Sequence, residues 1–159
     1  MLPLKCLFLI GLANGAPILL QDCLKTRFDV PVDFDLLFLD GKPLFGRSKT
    51  IRGIVVAILA TVAGAMLVGL PAAVGAWIGV GAMGGDLFSS FLKRRLGIPA
   101  SGMALGLDQI PEVLFPLLLV RATLGLKASE ILALTVLFFV LELILSKVLF
   151  RFHLRKRPY

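Results

Sequence analysis

The stretch "DGKPLFGRSKTIRG", Asp40 to Gly53, is where two folds compete for this chain. From Gly41 it reads glycine, four residues, glycine, Arg47 and Ser48, one substitution from the GxxxxGK(S/T) loop that cradles nucleotide phosphates. Such a loop works only after a strand and before a helix of a parallel sheet. Here the sequence after Ser48 is an apolar run, Ile54 to Leu70, and "DLLFLD" before Gly41 is at best one strand with no sheet to join. Arg47 in place of the lysine is a second objection. A soluble Walker-type NTPase is excluded, and the segment becomes a loop of a membrane protein.

Composition points the same way. Hydrophobic residues make up 58% and charged residues 17%, against about 25% charged in soluble domains. The expected fold is an all-α polytopic membrane protein, a single domain over 1–159. Its five transmembrane helices are placed near 2–20, 54–70, 71–92, 110–126 and 131–150, with two cytoplasmic loops forming a polar site. At 1.5 Å per residue each run covers roughly 24 to 31 Å, enough to cross a hydrocarbon core. The first run has only Lys5 as a charged start and a weak small-residue cleavage site in "LANGAP". It is expected to be an uncleaved helix rather than a signal peptide.

Charge placement sets an expected orientation. Lys25, Arg27, Lys42, Arg47, Lys49 and Arg52 lie between the first two runs, and Lys93, Arg94 and Arg95 follow the third. Lys147, Arg151, Arg155, Lys156 and Arg157 close the chain, while only Lys5, Arg121 and Lys127 fall on the other side. The positive-inside rule therefore puts the N-terminus outside the cell membrane, with the C-terminus and both long loops in the cytoplasm.

The Asp40–Gly53 segment can still hold phosphate by other means. Gly41, Gly46 and Gly53 allow close backbone approach, four cations surround them, and Ser48 or Thr50 can cap the following helix at its electropositive end. The plainer reading is that these cations only meet lipid headgroups. A second polar cluster bears on the choice. "GGDLFSSFLKRRLG" puts Asp86, Ser90, Lys93 and Arg94 on one side of an otherwise apolar helix, and "GLDQIPE" brings Asp108 to the same membrane face. A carboxylate near bilayer depth is costly without partners. Two that converge beside cations suit Mg²⁺, which takes one or two carboxylates plus substrate phosphate oxygens; a plain Asp-to-Lys pair is the alternative. Gly75 with Gly79, Gly81 with Gly85, and Gly64 have the small-residue spacing of closely packed membrane helices.

These residues resemble a known family. "GGDLFSSFLKRRLGI" followed by "GLDQ" is similar to the corresponding run of the CDP-archaeol synthases, small five-span relatives of the CTP:phosphatidate cytidylyltransferases. "ANGAP" at Ala13–Pro17 resembles their Asn-x-x-Pro, and "DGKPLFGRSKTIRG" resembles their Lys-Thr-x-Arg-Gly loop. The resemblance implies transfer of a cytidylyl group from CTP to a membrane lipid phosphate, either archaetidic-acid-like or phosphatidic acid, with release of pyrophosphate. By the same analogy Asp86 and Asp108 hold Mg²⁺, and Lys93 and Arg94 lie beside the triphosphate with Ser90. Lys49, Thr50 and Arg52 contact nucleotide or lipid phosphate, and Asn14 shapes the pocket. The larger relatives carry Asp-x-x-Asp where this chain has Asp108 and then Pro111, followed by Glu112, and they carry a Lys-Asp that "IPASG" lacks.

The remaining features have plainer expectations. Cys6 and Cys23 are free thiols, since their spacing suits neither a disulfide nor zinc. Trp77 packs within its helix. His153 in "RFHLRKRPY" belongs to a basic anchor on anionic lipid, so no nucleic acid partner is expected. Glu142, inside the fifth run, faces the bundle and pairs with Arg121 or another polar residue, or has an unassigned role. The competing function is a small transporter or channel subunit in which Glu142, Asp86 and Arg121 line a pathway. That reading expects polar residues at several depths and internal repeats, and no repeat is visible.

Overall fold

A computed structural model describes residues 1–24, 27–99, 102 and 104–151. Among them the backbone forms five helices in the order of the five apolar runs: α1 (Leu2–Leu24), α2 (Ile51–Leu67), α3 (Ala72–Arg95), α4 (Gln109–Leu124) and α5 (Ala128–Arg151). Two of them are long and apolar enough to cross a membrane, over Leu2–Gln21 and Ala128–Lys147, with mean hydropathies of 1.6 and 2.3. Leu132, Val136, Ile144 and Leu145 cover the outer side of α5, each more than half exposed. An apolar face of that extent suits lipid rather than water.

Local chemistry sets the helix ends. Thr50 caps α2 by accepting the Gly53 N–H on Oγ1 at 3.2 Å. Gly69, at φ +71°, turns the chain toward Pro71 and α3. Lys93, Arg94 and Arg95 fill the last turn of α3, where cations complement the helix dipole. Gly125 ends α4 in the left-handed conformation. Pro17 and Pro116 lie inside α1 and α4, and each leaves one carbonyl of its helix without a backbone donor.

The glycines of α3 fall in two rows facing different neighbours. Gly75 and Gly79 meet α2, where an added Cβ would lie 2.4 Å from the Thr61 carbonyl and 2.5 Å from Thr61 Oγ1. Gly81 and Gly85 meet α4, at 2.5 Å from Pro116 Cα and 2.2 Å from the Pro111 carbonyl oxygen. Gly64 of α2 gives the same close fit to Leu12 and Leu9 of α1. Between these contacts Leu9, Ile10, Ile78, Val113 and Leu117 are fully buried, with Leu134 and Phe138 joining from α5. Trp77, expected to pack, is 54% exposed, because Gly75, Ile78 and Gly79 take the contact faces of α3.

Among its described residues, the segment between α1 and α2 folds on itself without a sheet. Its pairing is limited to isolated bridges, Pro31 with Thr50 and Leu37 with Pro43. Gly41 and Gly46 adopt positive φ for its turns. The backbone N–H groups of Phe45 and Gly46 each donate to Asp33 Oδ2 at 2.9 Å, and that of Asp35 donates to Asp33 Oδ1 at 3.2 Å. The glycine-rich stretch thus spends these donors on its own carboxylate. Burial alone would raise the Asp33 carboxyl, but the donors of Gly46, Phe45 and Asp35 together hold it below the usual carboxylate value.

Arg95 pins this segment to the end of α3. Its guanidinium lies 4.8 and 5.0 Å from the ring centroids of Phe38 and Phe91. It donates to Asp40 Oδ1 at 2.8 Å, to the Lys42 carbonyl at 3.3 Å and to the Pro43 carbonyl at 2.6 Å. Lys42 Nζ donates back to the Arg95 carbonyl. Cys6 is buried as a free thiol. Lys25, His153, Arg155, Lys156 and Arg157 lie outside the described residues, as do the side chains of Cys23 and Arg151.

Candidate active site

One polar cavity of about 860 Å³ draws lining residues from all five helices and from the α1–α2 and α3–α4 connections. Asn14 comes from α1, Lys49 and Thr50 from the segment before α2, and Arg52 from α2 itself. Asp86 and Lys93 come from α3, Asp108, Gln109 and Glu112 from the start of α4, and Glu142 from α5.

The carboxylates carry their cations with them. Lys49 Nζ lies 2.6 Å from both oxygens of Asp86, and each side chain is 21% exposed. Glu112 stands close to Asp86, with Glu142 and Lys49 nearby. Lys93 Nζ lies 2.6 Å from Asp108 Oδ1 and donates to the Gly102 carbonyl at 3.1 Å. The Ala104 N–H donates to Asp108 Oδ2 at 3.0 Å. Asp108 Oδ1 therefore has an ion-pair partner but no well-aligned hydrogen bond, and it is buried. Arg52 donates to the Arg27 carbonyl and, at 3.3 Å, to Asp29. Arg47 pairs with Asp35 at 2.8 Å, and that hydrogen bond raises its pKa.

Asn14, Lys49, Thr50, Arg52, Asp86, Lys93 and Asp108 thus border a single space, whereas Ser90 and Arg94 do not border it. At 3.6 residues per turn, Lys93 points within about 20° of Asp86. Ser90 is buried, and Arg94 donates to the Pro99 carbonyl at 2.9 Å, bracing the α3–α4 connection. Glu142 borders the cavity, while Arg121 is exposed.

Glu112, Gln109 and Glu142 are among the lining residues that had no assigned role from sequence. Glu112 follows a proline where the larger relatives have aspartate, yet one turn of α4 beyond Asp108 carries it to Asp86. Gln109 is 1% exposed, and its only sequence signal is adjacency to Asp108 in "GLDQ". Glu142 reaches in from α5.

The donor set fits a hard cation shared with a substrate. Among the described residues, no group of three or more His, Cys, Asp or Glu side chains forms a ready-made metal cage. Instead, Asp86 and Asp108 each hold an ammonium at 2.6 Å, so a positive charge already has a built position beside each. A carboxylate or two with remaining positions left to phosphate oxygens is the arrangement Mg²⁺ accepts.

A family model described as "CarS-like: CDP-archaeol synthase" matches residues 23–159. The CDP-archaeol synthase of Sulfurisphaera tokodaii is 34% identical over 137 residues, 81% of this chain and 81% of that one. Its counterpart in Hyperthermus butylicus is 38% identical over 104 residues, 62% and 59% of the two chains. That of Saccharolobus solfataricus is 43% identical over 89 residues, 53% and 54%. A solved structure of an intramembrane enzyme for archaeal membrane lipid biosynthesis is similar with a TM-score of 0.72 and 29% identity, over 89% of this chain and 90% of that one. The motifs, the helical fold and these similarities agree: the chain belongs to the CarS-like CDP-archaeol synthase family.

Proposed function

We propose that this membrane protein is a CTP-dependent cytidylyltransferase acting on a lipid phosphate, of the kind whose CDP derivative is CDP-archaeol. A phosphate oxygen of the lipid attacks the α-phosphorus of CTP. The bond from that phosphorus to the bridging oxygen of the β-phosphate breaks, and pyrophosphate leaves with the electron pair. The observation that carries this reading is one cavity in which Asp86, Asp108, Lys49 and Lys93 converge from separate parts of the chain. A transporter reading is not favoured, because the polar side chains gather in one cavity and the relatives are synthases.

The residues divide the work by charge. Lys49 and Lys93 exchange their carboxylate partners for phosphate oxygens as the triphosphate enters, holding it in line with the lipid phosphate. Thr50 and Arg52 sit at the N-terminus of α2, where backbone N–H groups and the helix dipole add to anion binding. Asn14 shapes the side of the cavity formed by α1. Asp86 and Asp108 would hold Mg²⁺, which would supply neutralisation of the phosphate charge. A lipid phosphate is already largely ionised near neutral pH, with a second pKa of about 6, so no side chain is needed as general base. Arg94 acts from behind, bracing the connection that carries Asp108.

In this reading residues 1–159 are one membrane domain with five spans. Its N-terminus is outside, and both the C-terminus and the segments around the cavity are cytoplasmic, where CTP is available. The lysines and arginines of those segments support that orientation. The test is turnover by purified protein with Mg²⁺, CTP and the lipid phosphate, read as CDP-lipid and pyrophosphate. Asp86→Asn and Asp108→Asn should each lose product formation by at least about 10²-fold while remaining folded. Retained turnover in both would reject them as metal ligands.

A further inference from the structure

Gln109 opens α4 with its side chain 1% exposed. Its carboxamide has a fixed direction. The Gly106 N–H donates to Oε1 at 2.7 Å, and a donor cannot face the NH₂ group, so the positions of oxygen and nitrogen are determined. Nε2 is thereby turned away from Gly106; it is buried and meets no acceptor among the described residues. Gln109 lines the same cavity as Lys93, Asp108 and Glu112. An unpaired buried amide donor is a standing cost that methionine, of similar volume, would avoid. A ligand in the cavity that supplied an acceptor would remove that cost.

We propose that Gln109 is a substrate-binding residue whose Nε2–H group donates to an acceptor on the bound substrate, a phosphate oxygen or an acceptor of the nucleobase. This rests on reading the cavity as the site of nucleotidyl transfer. An amide nitrogen has protons and no free lone pair, so it meets neither a metal ion nor an ammonium. The cavity's lysines must first release Asp86 and Asp108 to reach a ligand, whereas Gln109 has nothing to release. It is a donor already in place.

Two substitutions separate the donor from the support it gives the loop. Gln109→Glu keeps an oxygen for the Gly106 N–H and replaces the outward donor with a carboxylate oxygen. Gln109→Met keeps the volume and removes both groups. KM for CTP, KM for the lipid phosphate and kcat are measured separately for wild type and both variants, alongside monodispersity and thermal unfolding. Gln109→Glu should raise one KM by about 10- to 100-fold and leave the other within about twofold. A CTP effect assigns the acceptor to the nucleotide; a lipid effect assigns it to the lipid phosphate. Folded variants with both KM values within about twofold of wild type would overturn the proposal, and if Gln109→Glu does not fold, Gln109→Met is judged by the same rule. If the wild type makes no CDP-lipid, the nucleotidyl-transfer reading fails by itself. The CTP-induced thermal shift then decides Gln109: a shift lost in the variants supports it, while equal shifts, or none in any protein, overturn it.

Discussion

Replacing Gly85 with alanine tests whether the contact of α3 with α4 builds the cavity. A Cβ at this position would lie 2.2 Å from the Pro111 carbonyl oxygen, 2.4 Å from its carbon and 2.7 Å from the Glu112 nitrogen. Ordinary contact begins at 3.4 Å, so the first turn of α4 must retreat by about 1.2 Å. The obstructing atoms are backbone and cannot rotate aside. Overpacking of this kind costs about 1–3 kcal/mol. Its effect on activity should be larger. Asp86 is the next residue of α3, while the moving turn carries Gln109 and Glu112 with Asp108 at its cap. Misplacement of reacting groups by about 1 Å can cost about 10²-fold in rate. Gly84→Ala is the control one residue away. There the nearest atom is Phe115 Cδ2 at 4.0 Å, so the methyl fits, and helix propensity favours alanine by up to about 1 kcal/mol. Thermal unfolding in detergent and CTP-dependent formation of CDP-lipid are measured on both variants. Gly85→Ala should lose several degrees and most of its turnover, with Gly84→Ala close to wild type. Equal unfolding temperatures and equal turnover for the two would refute the idea that this contact sets the site.

Two further expectations concern the segment between α1 and α2. Arg95→Lys keeps the charge, but a lysine cannot stack between Phe38 and Phe91 while reaching Asp40 and two carbonyls. Limited proteolysis should cut residues 27–50 faster in that variant and KM for CTP should rise several-fold; an unchanged cleavage rate would show that the segment is anchored elsewhere. Asp33 has a folded-state pKa below its usual 3.8, so its contribution is complete above that value and fades as pH falls through the lower folded one. Hydrogen exchange at the Gly46 amide should therefore stay protected at pH 5 and open only below about 3.8, and Asp33→Ala, which has no acceptor, should expose that amide at every pH. Protection lost near pH 6 would contradict the assignment.

Much of the helical order could be read from the sequence because apolar runs and their Pro and Gly punctuation are local signals. Gly69 and Pro71 between α2 and α3, and Gly125 after α4, mark ends that chain chemistry alone dictates. The glycine spacing of α3 announced close packing but not its partners. That Gly75 and Gly79 meet α2 while Gly81 and Gly85 meet α4 depends on how three helices are arranged. The loop misled most. Its glycines suggest backbone donors free for phosphate, yet Asp33, 12 and 13 residues before Phe45 and Gly46, takes those donors. Arg95 reads as one more cation of a basic run, and its clamp on Asp40 spans 55 residues of sequence. Ser90 and Arg94 were grouped with Asp86 by spacing, but Ser90 is buried without bordering the cavity and Arg94 spends its guanidinium on the Pro99 carbonyl. Glu112 looked displaced by Pro111, because counting positions along a motif ignores that one helical turn restores the direction.

The prolines of α1 and α4 have a mechanical consequence. Each removes one rung of its helix, opposite Ala13 and Glu112, the first adjoining Asn14 and the second itself on the cavity wall. A helix bends most cheaply where a rung is missing. Both weak points lie beside the polar chamber, whereas α2 and α3 have no internal proline and are locked to each other by glycine contacts. The chamber can thus widen at its α1 wall, without any helix unwinding, while α4 stays seated on α3 through the backbone of Pro111 and Pro116 against Gly85 and Gly81.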